Sequence, residues 1–131
     1  MRTTVTSMVL VAAAVAAAAT QQSGFSRTTI YSADLSMPGR EIVQAIAEFQ
    51  PHATVGWHTH PGEEGGYLLE GEFLFEVQGK PAVTLKAGQT FFVGPGVPHN
   101  ATNHSATAKT RVLATYIVEK GKPLATAVSP K

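Results

Sequence analysis

The sequence predicts an all-β domain, an antiparallel sandwich or barrel, from two observations. Glycine or proline recurs about every eight to twelve residues after residue 28, and apolar or alternating runs fill the intervals. Those runs are rich in β-branched and aromatic side chains, which suit the half-buried surface of a sheet. Many short strands separated by regular turn signals are typical of sandwiches and barrels. We therefore expect such a domain over about residues 28–120.

Six runs carry the strongest strand signals: residues 41–49, 64–70, 72–77, 82–86, 90–93 and 111–118. The first, "EIVQAIAEF", is apolar at nearly every position and suits a strand buried over most of its length. The segment 73–85 predicts a hairpin that turns at Gln78-Gly79-Lys80. A helical tendency occurs only between Asp34 and Arg40.

Length and composition limit the classes of function. The 131 residues suffice for one domain with a modest core, and 44% hydrophobic with 15% charged residues is ordinary for a globular protein. Ten Lys and Arg balance nine Asp and Glu, without a basic cluster, so we expect no nucleic-acid partner. The chain has no cysteine, which excludes disulfides and thiol chemistry.

The first residues have the layout of a secretory signal. Arg2 precedes an apolar run from Met8 to Ala19, and Ala17-x-Ala19 resembles a cleavage site. We expect residues 1–19 to be a signal peptide, 20–28 a flexible leader and 29–131 the single domain. The protein would then be exported, periplasmic or secreted, without membrane contact after cleavage. The alternatives are an uncleaved alanine-rich anchor and a start-site artefact.

The segment "GWHTHPGEEGGYLLEG", residues 56–71, is the first candidate for chemistry. In an extended strand the side chains at i and i+2 share a face, so His58 and His60 should project together. Pro61 and Gly62 then turn the chain, which can bring Glu64 back opposite the two histidines. Glu63 has the opposite parity and should face outward.

The segment "GPGVPHN", residues 94–100, supplies a matching piece. Its glycines and prolines predict a tight turn directly before His99, which is the natural third nitrogen donor. Three imidazoles and one carboxylate suit a divalent transition metal ion such as Fe, Mn, Ni, Cu or Zn. We expect His58, His60, Glu64 and His99 to be the metal ligands. Glu64 has a second candidate role, as a catalytic proton acceptor.

The two histidine segments resemble the two motifs of the cupin superfamily. The matching residues are His58, His60, Glu64 and Gly71 in the first motif, and Gly88, Gly96, His99 and Asn103 in the second. Sixteen residues separate the motifs, as in compact bacterial cupins. The resemblance implies a small single-domain cupin, with a double-stranded β-helix or jelly-roll barrel and a metal ion at its centre.

Two positions depart from the motifs: the opening glycine is His52, and the proline of the second motif is Gly94. His52 can still adopt a left-handed turn conformation. We expect His52 and His104 to be turn and loop residues, and Asn103 to fix a turn. By default, the aromatic side chains are expected in the barrel core: Trp57, Tyr67, Phe73, Phe75, Phe91 and Phe92.

The resemblance implies a small-molecule substrate or ligand but does not fix the reaction, since one fold hosts many chemistries. Whether the chain is an enzyme at all stays open. Among enzymes we favour an oxygenase-type oxidoreductase. The alternatives are a non-enzymatic module that binds a metal or small molecule, and a metal-dependent lyase or isomerase. Arg27, Arg40 and Arg111 lie outside the motifs, which argues against acidic substrates. A homodimer is left open.

Overall fold

A computed structural model describes residues 24–131, and this part of the chain contains strands and turns but no helix. Accordingly, no helix able to cross a membrane occurs there. The strands are β1 (Phe25–Asp34), β2 (Arg40–Phe49), β3 (His58–Thr59), β4 (Gly62–Glu70), β5 (Glu72–Val77), β6 (Val83–Lys86), β7 (Thr90–Val93), β8 (His99–Thr102), β9 (Thr110–Glu119) and β10 (Thr126–Ala127).

The strands form two antiparallel five-stranded sheets. The first has the order β1-β2-β9-β4-β7 and the second the order β10-β3-β8-β5-β6. From β2 to β5 and again from β6 to β9 the chain alternates between the sheets, as in a jelly roll. The all-β prediction is confirmed, because the two sheets enclose one interior.

The hydrophobic core lies between the sheets. β2 and β9 are neighbours, and along both strands every second side chain is buried. Phe49 of β2 packs on Phe73 of β5, with ring centres 5.6 Å apart, so the two sheets are in contact through large side chains. Leu68 of β4 is fully buried in the same cluster. Burial of such side chains is the main stabilising contribution to this fold.

The six predicted strands are all present, with ends that differ by at most two residues. The predicted hairpin is β5–β6, in which Phe75 lies opposite Val83. Gly79 at its turn has a φ of 80°, which a residue with a side chain rarely adopts. The sequence did not indicate β1, β8 or β10 as strands.

The helical tendency between Asp34 and Arg40 is not realised. This segment is the connection of the β1–β2 hairpin, with Asp34 paired to Glu41. Pro38 and Gly39 form the turn, and Gly39 has a φ of 74°, outside the helical region. Propensity over so few residues does not outweigh the pairing of two ten-residue strands.

The expected leader is wrong for its last four residues, since β1 begins at Phe25. This strand pairs with β2 from Phe25 opposite Phe49 onward. Its backbone hydrogen bonds order the segment although most of its side chains are exposed. The expected signal peptide, residues 1–19, and the start of the leader lie outside the described residues.

Four of the six aromatic side chains expected in the core are buried or half-buried: Trp57, Phe73, Phe75 and Phe91. The prediction is wrong for Tyr67 and Phe92, which are 45% and 68% exposed. Their neighbours Leu68 and Val93 point into the core, and successive side chains of a strand point to opposite faces. Tyr67 and Phe92 therefore lie on the outer face of the first sheet.

Candidate metal centre

Three histidines meet in the interior. In the pairing of β3 with β8, His58 lies directly opposite His99, and their ring centres are 4.2 Å apart. The ring centre of His60 is 4.8 Å from that of His58 and 5.0 Å from that of His99. All three side chains are buried. The i, i+2 spacing and one antiparallel pair thus bring the three imidazoles together as expected.

Glu64 completes the group from β4. Its Oε2 lies 3.1 Å from His60 Nε2 and 3.0 Å from His99 Nε2. A side chain at Gly62 would place Cβ 1.9 Å from the carbonyl oxygen of Ile117, so the close approach of β4 to β9 requires glycine there. Glu63 is only half-buried and is not part of the group, as its opposite parity predicted. We call His58, His60, Glu64 and His99 the donor cluster.

The second nitrogen of each imidazole is held by the backbone. Nδ1 lies 2.7 Å from the Gly56 carbonyl oxygen in His58, 2.6 Å from that of Leu124 in His60, and 2.9 Å from that of Val97 in His99. A carbonyl oxygen only accepts hydrogen bonds, so each Nδ1 carries the proton and donates it. Each Nε2 therefore presents its lone pair to the cluster when the imidazole is neutral. This arrangement is typical of histidines that bind metals.

The approach to the second motif fixes His99. Gly96 has a φ of 67°, and its N–H donates to the His60 carbonyl oxygen at 3.0 Å. The turn before His99 is thereby fastened to the segment that carries the other two histidines. The departure from the motif at Gly94 removes no donor atom and leaves His99 in position.

The electrostatics favour a charged Glu64 and a neutral His58. Burial raises the pKa of Glu64, but the imidazoles of His60 and His99 together lower it by more, so it lies below its usual range. Burial, followed by the charge of His99, lowers the pKa of His58 to about 3. A carboxylate that faces two Nε2 lone pairs requires a cation between them, either protons or a metal ion.

The donor cluster fits a metal ion. One donor atom from each residue can be chosen so that all four lie within 4.8 Å of one another. Ligands bound to one ion at about 2.1 Å lie up to about 4.2 Å apart, which is close to this spacing. The buried Nε2 of His60 is 3.1 Å from Glu64 but has no partner in hydrogen-bonding geometry. These four residues could therefore hold a divalent transition metal ion.

Two further residues line the same cavity and were missed by sequence reasoning. Arg27 of β1 donates from Nε to the Tyr116 hydroxyl at 3.1 Å. Tyr116 of β9 lies opposite Glu64 in the β4–β9 pairing, and its ring centre is 4.8 Å from that of His60. The argument against acidic substrates, that all arginines lie outside the motifs, is therefore weakened, because Arg27 lines this cavity. Arg27 lies on β1, outside both motifs, and the pairing of β1 with β2 brings it to the cavity.

The cavity beside the donor cluster is small and mostly apolar. Its volume is about 30 Å³, which leaves room for a few water-sized groups. Phe75 and Phe91 lie on one side with ring centres 4.6 Å apart, while His58 and Glu64 supply polar atoms. Such a cavity suits a ligand of few heavy atoms.

The remaining sequence predictions concern turns. Asn103 is fully buried and donates from Nδ2 to the carbonyl oxygens of Phe49, Gln50 and Ala108, so it fixes the turn as expected. His52 has a φ of 63°, the left-handed conformation expected where the motif has glycine. His104 is exposed and does not belong to the donor cluster.

Comparison with known proteins agrees with this geometry. The family model described as "Cupin domain" matches residues 45–116, which include the whole donor cluster. Two regulators, each named HTH-type transcriptional regulator PuuR, from Escherichia coli and Shigella flexneri, are 37% identical over 70 residues. That match covers 53% of this chain and only 37% of each regulator.

Solved structures share the fold. An oxalate oxidase in complex with the substrate analogue glycolate aligns over 83% of this chain and 57% of its own, with a TM-score of 0.65 and 21% identity. The DMSP lyase DddQ from Ruegeria pomeroyi aligns over 69% of this chain and 44% of its own, with a TM-score of 0.60 and 21% identity. These two likenesses show the fold alone. Because the family model spans more than half of the sequence, this chain belongs to the cupin family.

Proposed function

We propose that this protein binds one divalent transition metal ion through His58, His60, Glu64 and His99 and acts on a small organic molecule as an oxygenase-type oxidoreductase. The observation that carries the proposal is the convergence of three buried Nε2 atoms and one carboxylate, each imidazole being fixed by a backbone carbonyl. The candidate ions are Fe, Mn, Ni, Cu and Zn.

The residues of the centre have different roles in the proposed reaction. The bound ion would supply Lewis acidity and redox chemistry with dioxygen. The donor cluster orients it, and the apolar side chains of Phe75 and Phe91 limit the entry of bulk water. Glu64 serves as a ligand or, in the second role consistent with its position, accepts a proton from the substrate.

The test is a comparison of turnover with and without oxygen. Metal-loaded protein is mixed with neutral phenolic, enol and diketone compounds and with small carboxylates, and oxygen uptake is recorded beside substrate loss. Oxygen uptake that matches substrate loss, and that disappears in His99→Ala, is the expected result. Substrate loss that persists without oxygen would replace the oxygenase with a lyase or isomerase.

A non-enzymatic binding module is the second candidate, favoured by the likeness to a protein named as a transcriptional regulator. In that case the barrel would hold a small ligand or the ion itself without converting it. Saturable binding of a compound that is recovered unchanged from the metal-loaded protein under air would support the module over the enzyme.

We also propose that the protein is exported. The support is the positive start at Arg2, the apolar run from Met8 and the Ala17-x-Ala19 pattern. The mature protein recovered from outside the cytoplasm should begin at Thr20, as read by N-terminal sequencing. Recovery of the protein only in the cytoplasm with residues 1–19 attached would contradict export.

A further inference from the structure

We propose that Arg27 and Tyr116 form a recognition site for the carboxylate of a small anionic ligand at the candidate metal centre. This inference rests on the proposed function and names the substrate class of the same site. It reverses the interpretation from sequence, which disfavoured acidic substrates because the motifs contain no arginine.

The first support is an unbalanced positive charge. Arg27 is half-buried, yet among residues 24–131 no carboxylate lies within 4.0 Å of its guanidinium. The exposed Lys86, Lys120 and Lys122 and the half-buried Arg111 each have such a partner, whereas the half-buried Arg40, which does not line the cavity, has none among the described residues. A charge removed from water without a counter-ion is unfavourable, so a cation in a cavity attracts an anionic ligand.

The second support is orientation. The Arg27 guanidinium carbon lies 5.3 Å from the ring centre of Phe25 and 5.8 Å from that of Tyr116. The Arg27 Nε–H donates a hydrogen bond to the Tyr116 hydroxyl, which holds the guanidinium in one orientation. In the described part of the chain the two Nη groups have no protein acceptor. An arginine that retains free N–H groups in a fixed plane is suited to a carboxylate.

The third support is the position of the pair beside the donor cluster. Tyr116 contacts Arg27 through its hydroxyl and packs against His60 through its ring. Arg27, Tyr116, Glu64 and His58 line one cavity of about 30 Å³. A divalent ion and one carboxylate leave a net positive charge, to which Arg27 adds. A ligand with a carboxylate and few other atoms matches both this charge and this volume.

Acetate and acetamide are the probes that test the inference, because they have nearly the same shape and differ in charge. Each is titrated into metal-loaded wild type, Arg27→Gln and the control Arg40→Gln, whose arginine lies at the start of β2. Binding is followed by the shift in melting temperature and by calorimetry, and metal content is measured in every sample. None of these readouts requires turnover.

Wild type and Arg40→Gln should bind acetate in preference to acetamide. Arg27→Gln should bind acetate about 10- to 100-fold more weakly, the range expected for loss of charged hydrogen bonds, with unchanged metal content. Arg27→Lys keeps the charge and should restore part of the preference, which also addresses a failure of Arg27→Gln to fold. Equal acetate binding by wild type and Arg27→Gln, or no preference for acetate in wild type, would overturn the recognition site.

Failure of the proposed function is seen separately. If metal analysis finds no ion in the wild-type protein after loading, the metal centre is contradicted. The dependence of acetate binding on Arg27 is measured in the same titration, with or without a bound ion. Absence of turnover with a persistent, Arg27-dependent preference for acetate would leave the recognition site standing and remove only the enzyme.

Discussion

The donor cluster and the Arg27–Tyr116 pair line the same cavity but are assembled in different ways. The donor cluster comes from residues 58–99, where an i, i+2 spacing and one turn place three donors, and the pairing of β3 with β8 adds His99. The pair joins residues 89 positions apart, and it exists only because β1 pairs with β2 and β2 with β9. Chemistry encoded by short spacings can be read from a sequence, whereas chemistry that depends on distant strand pairing cannot.

The largest expected effect is the loss of folding stability of the metal-free protein at low pH. This loss should depend on the donor cluster and not on the Arg27–Tyr116 pair. Burial and His99 lower the pKa of His58 from 6.5 to about 3. Between these pH values His58 is protonated in the unfolded chain but neutral in the folded chain. Stability should therefore fall as the pH drops from about 6.5 to about 3, by on the order of 5 kcal/mol at about 1.4 kcal/mol per unit. Chemical denaturation at several pH values measures this loss.

The loss of charge on Glu64 acts in the same direction, because its lowered pKa means that stability is lost as the pH falls below its usual value of 4.5. His58→Gln should flatten the pH dependence. Tyr116→Phe should retain it, because arginine does not titrate here and burial raises the pKa of Tyr116. Identical pH profiles for the three proteins would show that the donor cluster has no special electrostatics.

The next effect is the dependence of stability on metal. An ion that binds only the folded state adds about 2.7 kcal/mol at a free concentration 100 times its Kd. His99→Ala should lose this increment, measured as the difference in free energy of unfolding with zinc and with a chelator. His104→Ala is the matched control, since that histidine is exposed. Equal losses for His99→Ala in zinc and chelator would make His99 a packing residue.

The smallest effect concerns the pair itself. Tyr116→Phe removes the acceptor of the Arg27 Nε–H and should lower the free energy of unfolding by about 1 kcal/mol, the usual net value of one hydrogen bond. Metal affinity should fall far less than in His99→Ala, since the ring and its packing on His60 stay and only the interaction of the hydroxyl with Glu64 is lost. A large drop in metal affinity would mean that the two groups act as one unit and would remove the distinction between them.

The fold class, the six strands and the meeting of the donor cluster could be predicted from sequence, because each follows from alternation, turn residues or short spacing. β1 could not, since it is a strand with mostly exposed side chains and no hydrophobic pattern. Tyr67 and Phe92 were misplaced because composition does not say which face of a strand is covered. Arg27 was missed for the same reason as β1, because nothing within residues 20–28 indicates its partner on β9.

We expect one metal ion to bind among His58, His60, Glu64 and His99. The most direct measurement is anomalous X-ray diffraction from crystals of the metal-loaded protein, recorded on both sides of the absorption edge of the ion. We expect one anomalous peak per chain, at about 2.0–2.2 Å from Nε2 of the three histidines and from the Glu64 carboxylate. A peak elsewhere, or none in crystals soaked with each candidate ion, would contradict it.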